Sequence, residues 1–208
     1  MSVNQEVLNQ VYNASNHEEL MDAYKDWAEE YDQNTVQDFG YVGYQVCAEL
    51  LDAYLGGKSS LRILDAGCGT GLVADVLQSF GYRNMDGLDY SQEMLDEADK
   101  KGLYTRLIQA DLSRPLDIED QAYDAVVCAG TFTYGHVQSE AFGELVRITK
   151  PGGKICFTIR EGSYEDYGYR QEMVRLEAKG VWELLEMRDE EYYKDKVWAK
   201  MCVYKVLA

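Results

Sequence analysis

The residues that could do chemistry cluster first in the stretch 61–72. There Asp65 is followed at alternate positions by Gly67, Gly69 and Gly71. Glycine is required where a turn visits positive φ, and where a Cβ would hold a ligand away from the backbone. A short apolar run (Leu61, Ile63, Leu64) leads into the turn, and a helix-patterned segment over 72–80 leaves it at once. Strand, glycine turn and helix in that order form a nucleotide-binding α/β unit. A second acid, Asp89, closes the apolar run that begins at Met85. It lies about 20 residues beyond Gly69, the offset at which an acid ends the second strand and takes the ribose hydroxyls. A carboxylate suits that task because it accepts two hydroxyl donors at once. The dinucleotide pattern Gly-x-Gly-x-x-Gly fails at Leu72. That failure counts against a nicotinamide-dependent oxidoreductase.

These residues need elements to hold them. Residues 1–56 read as helical, with Val7, Leu8, Val11 and Tyr12 at helical spacing and Leu20, Met21, Tyr24, Trp27, Ala28 and Tyr31 continuing it. Asn16 can cap the second of these helices. A third is expected over about 39–54, closed by Gly56 and Gly57. Beyond the glycine turn, Ser91 caps a helix that brings Met94 where it can cover an adenine face. A strand follows over 104–110, and the continuous apolar run 123–130 reads as a strand buried on both faces. Ligands of such sheets bind beyond the carboxyl ends of the strands. The strand end at Ala129 and the loop 131–137 are therefore expected to line a pocket. A helix over 139–149, a turn at Lys150-Pro151-Gly152-Gly153, a strand over 155–159, a helix over 170–179 and two final strands complete the pattern. The chain reads as one compact domain, with a helical segment 1–56 leading into a nucleotide-binding domain 57–208.

The pattern Asp-x-Gly-x-Gly-x-Gly resembles the first motif of the class I S-adenosylmethionine-dependent methyltransferases. The resemblance extends to the Trp27-Ala-x-x-Tyr31-Asp32 segment, the Asp89 strand end, Asp111, the 123–130 strand and the Lys-Pro-Gly-Gly turn. It implies a Rossmann-like, doubly wound seven-stranded α/β sheet, mostly parallel, with a C-terminal antiparallel hairpin and N-terminal helices forming a lid. It implies S-adenosyl-L-methionine as cofactor. By that resemblance Gly67, Cys68, Gly69 and Gly71, with Asp65 before them, face the methionine portion. The segment of Trp27 and Tyr31 lids the cofactor with Tyr31 near its methionine end, and Ala129 at the fourth strand end also touches it. Asp89, followed by Tyr90, would hold the ribose. Asp111 would receive the adenine amino group, with the backbone N–H of Leu112 towards the ring. The loop after the fourth strand departs from the Asn-Pro-Pro-Tyr or Asp-Pro-Pro-Tyr of amino-group methylases, which disfavours nucleobase and glutamine methylation.

Methyl transfer is mainly positioning, and a general base is optional. His136, one of two histidines, falls in the expected pocket loop and is the candidate base, with Tyr134 a candidate to orient the acceptor. No metal site is expected. Twenty Lys and Arg against 37 Asp and Glu give a formal charge of −17, which repels phosphate backbones. Nucleic acid is thus an unfavourable partner, and a small molecule or a basic protein segment a better one. The five scattered cysteines read as buried thiols. With no run long enough for a bilayer and no signal sequence, the reading is a cytoplasmic enzyme that is not membrane-bound. A non-catalytic S-adenosylmethionine-binding protein is the main rival.

Overall fold

A computed structural model describes residues 27–134, 137–194 and 197–207. The helices expected before residue 27, with Asn16 and Tyr24, lie outside them. A 3-10 turn, Ala28–Glu30, and a π-helical turn, Gln33–Asp38, lead to the helix α1, Gly43–Leu55. This helix starts later than the periodicity suggests, because the chain turns at Gly40 with φ +70°. It closes, as expected, on Gly56 with φ +67°.

The strands β1 (Ile63–Ala66), β2 (Met85–Asp89), β3 (Arg106–Gln109), β4 (Tyr123–Phe132) and β5 (Thr149–Arg160) alternate with the helices α2 (Leu72–Ser79), α3 (Gln92–Lys101) and α4 (Ala141–Ile148). A short helix α5 (Ser163–Asp166) and α6 (Tyr169–Ala178) precede the hairpin strands β6 (Trp182–Tyr193) and β7 (Val197–Val206). The seven-stranded sheet has the order β3-β2-β1-β4-β5-β7-β6. Neighbours among β1 to β5 pair in parallel, and β7 pairs antiparallel with both β5 and β6. The expected fold is the observed one. Strand order reverses between β1 and β4, so a crevice must open there, beyond their carboxyl ends.

Both faces of the sheet are covered, which explains the unbroken apolar run of β4. Val126 and Cys128 join Leu64, Phe142, Phe157 and Trp182 on one side. Ala125 and Val127 join Cys47, Leu51, Ile63 and Leu77 on the other. Successive side chains of a strand point to opposite faces, so a strand buried twice has no polar position to spare.

Two boundaries moved. The Lys-Pro-Gly-Gly turn is the irregular opening of β5, because Thr149 already pairs with Tyr123 before the register shifts at Lys154. A Cβ on Gly153 would sit 2.7 Å from the Asp124 carbonyl oxygen, so only glycine lets the two strands close up there. And β4 runs two residues further than expected, to Phe132, whose ring is buried against Phe142, Phe157 and Tyr169. Phe132 belongs to the core, not to a pocket loop. No helix among the described residues is long and apolar enough to cross a membrane.

Candidate functional site

The glycine turn is built by backbone hydrogen bonds before any side chain acts. The N–H groups of Gly67 and Cys68 both donate to the Leu88 carbonyl, at 2.7 and 2.9 Å, tying the end of β1 to the end of β2. Gly71 donates to Cys68 and then opens α2 with φ +92°. Asp89 completes the frame. Its Oδ2 accepts the Gly69 N–H at 2.8 Å, and its Oδ1 accepts the Ser91 N–H at 2.9 Å. A carboxylate has about four acceptor positions. Not all of them are used, and the rest can serve a ligand in the cleft that Asp89 lines.

The three glycines have different reasons to be glycine. A Cβ on Gly67 would fall 2.2 Å from Thr131 Oγ1, so Gly67 serves the approach of the turn to β4. One on Gly71 would press on Tyr104 at 3.3 Å. One on Gly69 would meet nothing within 4 Å, and Gly69 lines the cleft. Gly67 and Gly69 both line the cleft, but only at Gly69 is the space a Cβ would take open, and Gly71 stands outside the lining.

The cleft spans the point where strand order reverses, and with its open mouth holds about 940 Å³. On the β2–β3 side it is lined by Asp89, Tyr90, Met94, Asp111 and Leu112. Ser91 Oγ caps α3 by accepting the Met94 N–H, which fixes Met94 at the wall. Asp111 lines the cleft, while its Oδ1 accepts the Ser113 N–H at 2.8 Å in a turn. In the middle lie Gly67, Cys68 and Gly69, and on the β4 side Ala129, Gly130, Thr131 and Val137. Tyr31, Tyr41 and Tyr44 cover the cleft from the N-terminal segment.

Four expected residues stand elsewhere. Asp65 sits behind the turn, 1% exposed, with Oδ2 accepting the Tyr104 hydroxyl at 2.7 Å and a buried Oδ1 that no group meets. Gly71 opens α2 at the same rear position. Trp27 is buried and does not line the cleft; its ring packs edge-on against Tyr31 at 4.8 Å and against Phe39 at 6.2 Å. Tyr134 is turned away. After Phe132 the chain turns as the Thr133 N–H bonds the Thr131 carbonyl, and Tyr134 lands over Gly162, beside Tyr167 and under Arg160. His136 lies outside the described residues.

Other residues came without notice. Asp32 accepts hydrogen bonds from Thr70 Oγ1 and from Lys101 Nζ, fastening the N-terminal segment to the glycine turn and to α3. Tyr41 and Tyr44, at the start of the expected third helix, line the cleft although neither was singled out from the sequence. Their tell was composition: 17 tyrosines in the chain, four of them at 31, 41, 44 and 54.

Electrostatically the cleft is negative. Burial, and then the charge of Asp89, push Asp65 up to about 7 against the Tyr104 hydrogen bond. Burial also raises Asp89, opposed by the N–H groups of Ser91, Gly69 and Tyr90. The described lining residues include no Lys, Arg or His. Arg114, outside the lining, stands 3.3 Å from Asp111, and Asp89 forms no such ion pair among the described residues. The buried Asp65 with its unmet oxygen and the half-buried Asp89, beside an open glycine backbone, favour a ligand that is both cationic and rich in hydroxyls. S-adenosylmethionine, with its sulfonium, ammonium and ribose, fits those demands.

Comparison with known proteins agrees with the geometry. The family described as "Methyltransferase domain" matches residues 64–157. Human methyltransferase-like protein 27 is 38% identical over 166 residues, 77% of this chain and 66% of that protein. The malonyl-[acyl-carrier protein] O-methyltransferase of Pectobacterium atrosepticum is 37% identical over 121 residues, 57% of this chain and 46% of that one. The chain thus spans between about half and two thirds of these relatives. A TehB-like S-adenosylmethionine-dependent methyltransferase from Corynebacterium glutamicum superposes with a TM-score of 0.65, covering 89% of this chain and 99% of its own, at 19% identity. That last likeness is one of fold.

Proposed function

The chain belongs to the class I S-adenosylmethionine-dependent methyltransferases, and on that premise we propose that it methylates a small molecule held between the end of β4 and the N-terminal segment. When bound, S-adenosylmethionine supplies a methyl carbon on a sulfonium, so an acceptor lone pair forms the new bond while the carbon–sulfur electrons return to sulfur. The protein's task is to hold the reacting atoms in line and keep water out. Asp89 would take the ribose hydroxyls. Met94, Tyr90, Asp111 and Leu112 would enclose the base. Gly69 and Tyr31 would border the methionine portion, with the ionised Asp65 behind the turn stabilising its positive charge. The described residues supply positioning and a negative field.

The observation that carries the small-molecule reading is the shape and charge of the cleft. It is covered by Tyr31, Tyr41 and Tyr44, lined by two carboxylates, and without a basic residue among those described. A phosphate backbone would meet repulsion there, and the net charge of −17 adds to it. A basic protein segment would meet the right charge, but a roofed cleft suits a molecule that can enter whole. The name of the Pectobacterium relative points to O-methylation of a malonyl group carried on acyl-carrier protein, a small reacting group on a protein carrier. That of a relative from Alkalilimnicola ehrlichii points to O-methylation in ubiquinone biosynthesis.

The test is production of S-adenosylhomocysteine from S-adenosylmethionine over a fractionated cell extract. The proposal expects turnover in the low-mass fraction and its loss in Asp89→Ala. Turnover confined to protein or RNA fractions would sink it. Tight cofactor binding with no turnover in any fraction would favour the non-catalytic reading.

A further inference from the structure

We propose that Tyr41, braced by Tyr192, positions the methyl acceptor, and that the tyrosine wall around it selects an aromatic acceptor whose reacting group carries no negative charge; this rests on the methyltransferase reading above.

The wall is assembled by tertiary contacts between segments far apart in the chain. The N–H of Val42 donates to the Tyr192 carbonyl at 3.0 Å, and the N–H of Lys194 donates to the Gly40 carbonyl at 3.0 Å. Tyr41 and Tyr193 form the antiparallel bridge between them. The end of β6 therefore holds the entrance of α1 against the sheet. Ring contacts follow from that pairing. Tyr41 lies 4.9 Å from Tyr192, edge to face, and 5.5 Å from Tyr44. Gly43 makes the pairing possible, since a Cβ there would come within 2.7 Å of the Tyr192 ring and 2.8 Å of the Tyr41 ring.

Both hydroxyls of the pair point at the end of β4. A Cβ on Gly130 would lie 3.1 Å from Tyr41 Oη and 3.4 Å from Tyr192 Oη. Gly130 has φ +80° and lies in the cleft wall between Ala129 and Thr131. This is the β4 side of the cleft, across the glycine turn from Asp89 and Asp111. Burial, and then the neighbouring Tyr192 and Tyr31, hold the Tyr41 hydroxyl well above the usual phenol range. It stays protonated at neutral pH and works as a donor, not as a base.

The rest of the wall sets the class of acceptor. Tyr31, Tyr41 and Tyr44 offer ring faces and edges, against which a second ring packs with about 0.5–1.5 kcal/mol beyond simple burial. An anionic group on that ring would have to shed water with no described cation in the lining to replace it, beside carboxylates that repel it. A phenol or an amine pays neither penalty.

Three matched probes test this on the full chain loaded with S-adenosylhomocysteine: 4-ethylphenol, phenethylamine and phenylacetate, titrated by NMR at pH 7. The proposal expects the phenol and the amine to bind at least about tenfold tighter than phenylacetate. It expects Tyr41→Phe, which keeps the ring and its packing, to weaken 4-ethylphenol about tenfold, the worth of one buried hydrogen bond, while S-adenosylhomocysteine binds as before. Phenylacetate binding as well as the phenol, an unchanged phenol affinity in Tyr41→Phe, or no binding of any probe would each overturn it. The order of the probes on the unaltered protein stands as a test even if Tyr41→Phe folds poorly. Failure of the unaltered protein to bind S-adenosylhomocysteine would instead overturn the methyltransferase reading itself.

Discussion

Exchange of Gly67 for alanine separates two explanations of the glycine turn. If the turn is glycine-rich only to admit a ligand, alanine at Gly67 and at Gly69 should cost cofactor affinity alike and stability little. The structure argues otherwise. Both residues sit at positive φ, +77° and +51°, where an L-residue costs roughly 1–2 kcal/mol. Only at Gly67 does the new Cβ meet an obstacle, Thr131 Oγ1 at 2.2 Å, with Thr131 Cβ and Cγ2 both at 3.3 Å. Thr131 is β-branched and 8% exposed, so rotating one atom away brings another closer. Overpacking of that kind adds about 1–3 kcal/mol. Gly67→Ala should therefore lose roughly 2–5 kcal/mol against roughly 1–2 for Gly69→Ala, or a fall in Tm of about 5–15 °C against a few degrees for a chain of this size. Removing the obstacle should restore the difference, so Gly67→Ala combined with Thr131→Ala should be more stable than the sum of the single changes predicts. Urea denaturation of the four proteins measures the cycle, and calorimetry with S-adenosylmethionine measures affinity separately. Equal losses at the two glycines, or strict additivity with Thr131→Ala, would refute the steric account.

Asp89→Ala should weaken S-adenosylmethionine by about 1–3 kcal/mol, since a charged hydrogen bond is worth that much; an unchanged Kd by calorimetry would remove Asp89 from the ribose site. Asp65 makes stability depend on pH in a defined direction. Its folded value, about 7, lies above the ordinary carboxylate value of 3.8, so its proton stabilises the ligand-free fold fully below 3.8, and that contribution is lost as pH rises through about 7. Subtracting the stability of Asp65→Asn from that of the native protein between pH 5 and 8 should reveal this falling slope, and a flat difference would contradict it. Binding of the cationic cofactor should run the opposite way, tightening from pH 6 to 8 as Asp65 ionises. Thr70→Val removes the hydroxyl that Asp32 accepts. Because Asp32 is partly exposed, roughly 0.5–1.5 kcal/mol of lid docking should go, and stopped-flow release of the cofactor should quicken about two- to tenfold.

What could be read from the chain alone was whatever its linear order dictates. The strand-turn-helix repeats fixed the sheet, because a right-handed crossover between parallel strands leaves few other arrangements. Asp89 and Asp111 were legible because each ends a strand, and strand ends gather on one edge of such a sheet. Ser91 was legible as a cap and proves to be one. Tyr134 was misplaced for a local reason. The run 123–130 ends on Gly130, which reads as the end of a strand, although Thr131 and Phe132 after it are strand formers. Two more strand residues moved Phe132 into the core and swung Tyr134 over Gly162. Asp32 could be seen as part of a motif but not as a fastening, because Thr70 and Lys101 come to it only through tertiary packing.

The same distinction separates the two halves of the cleft. Asp89, Asp111 and the glycine turn all fall within residues 64–157, the stretch that matches the methyltransferase domain family. Tyr31, Tyr41, Tyr44 and Tyr192 all fall outside it. The glycine turn and the Asp89 frame are thus encoded in a contiguous segment whose order nearly determines its geometry. The tyrosine wall proposed to meet the acceptor faces the end of β4 but is itself made from residues on both sides of that segment, joined by the bridge of Tyr41 to Tyr193. A fold divided in this way can change its acceptor by altering an entrance helix and a hairpin end, while every hydrogen bond of the Asp89 frame stays in place. On the proposal made for Tyr41, acceptor specificity would then vary at the tyrosine wall while the glycine motif stays the same.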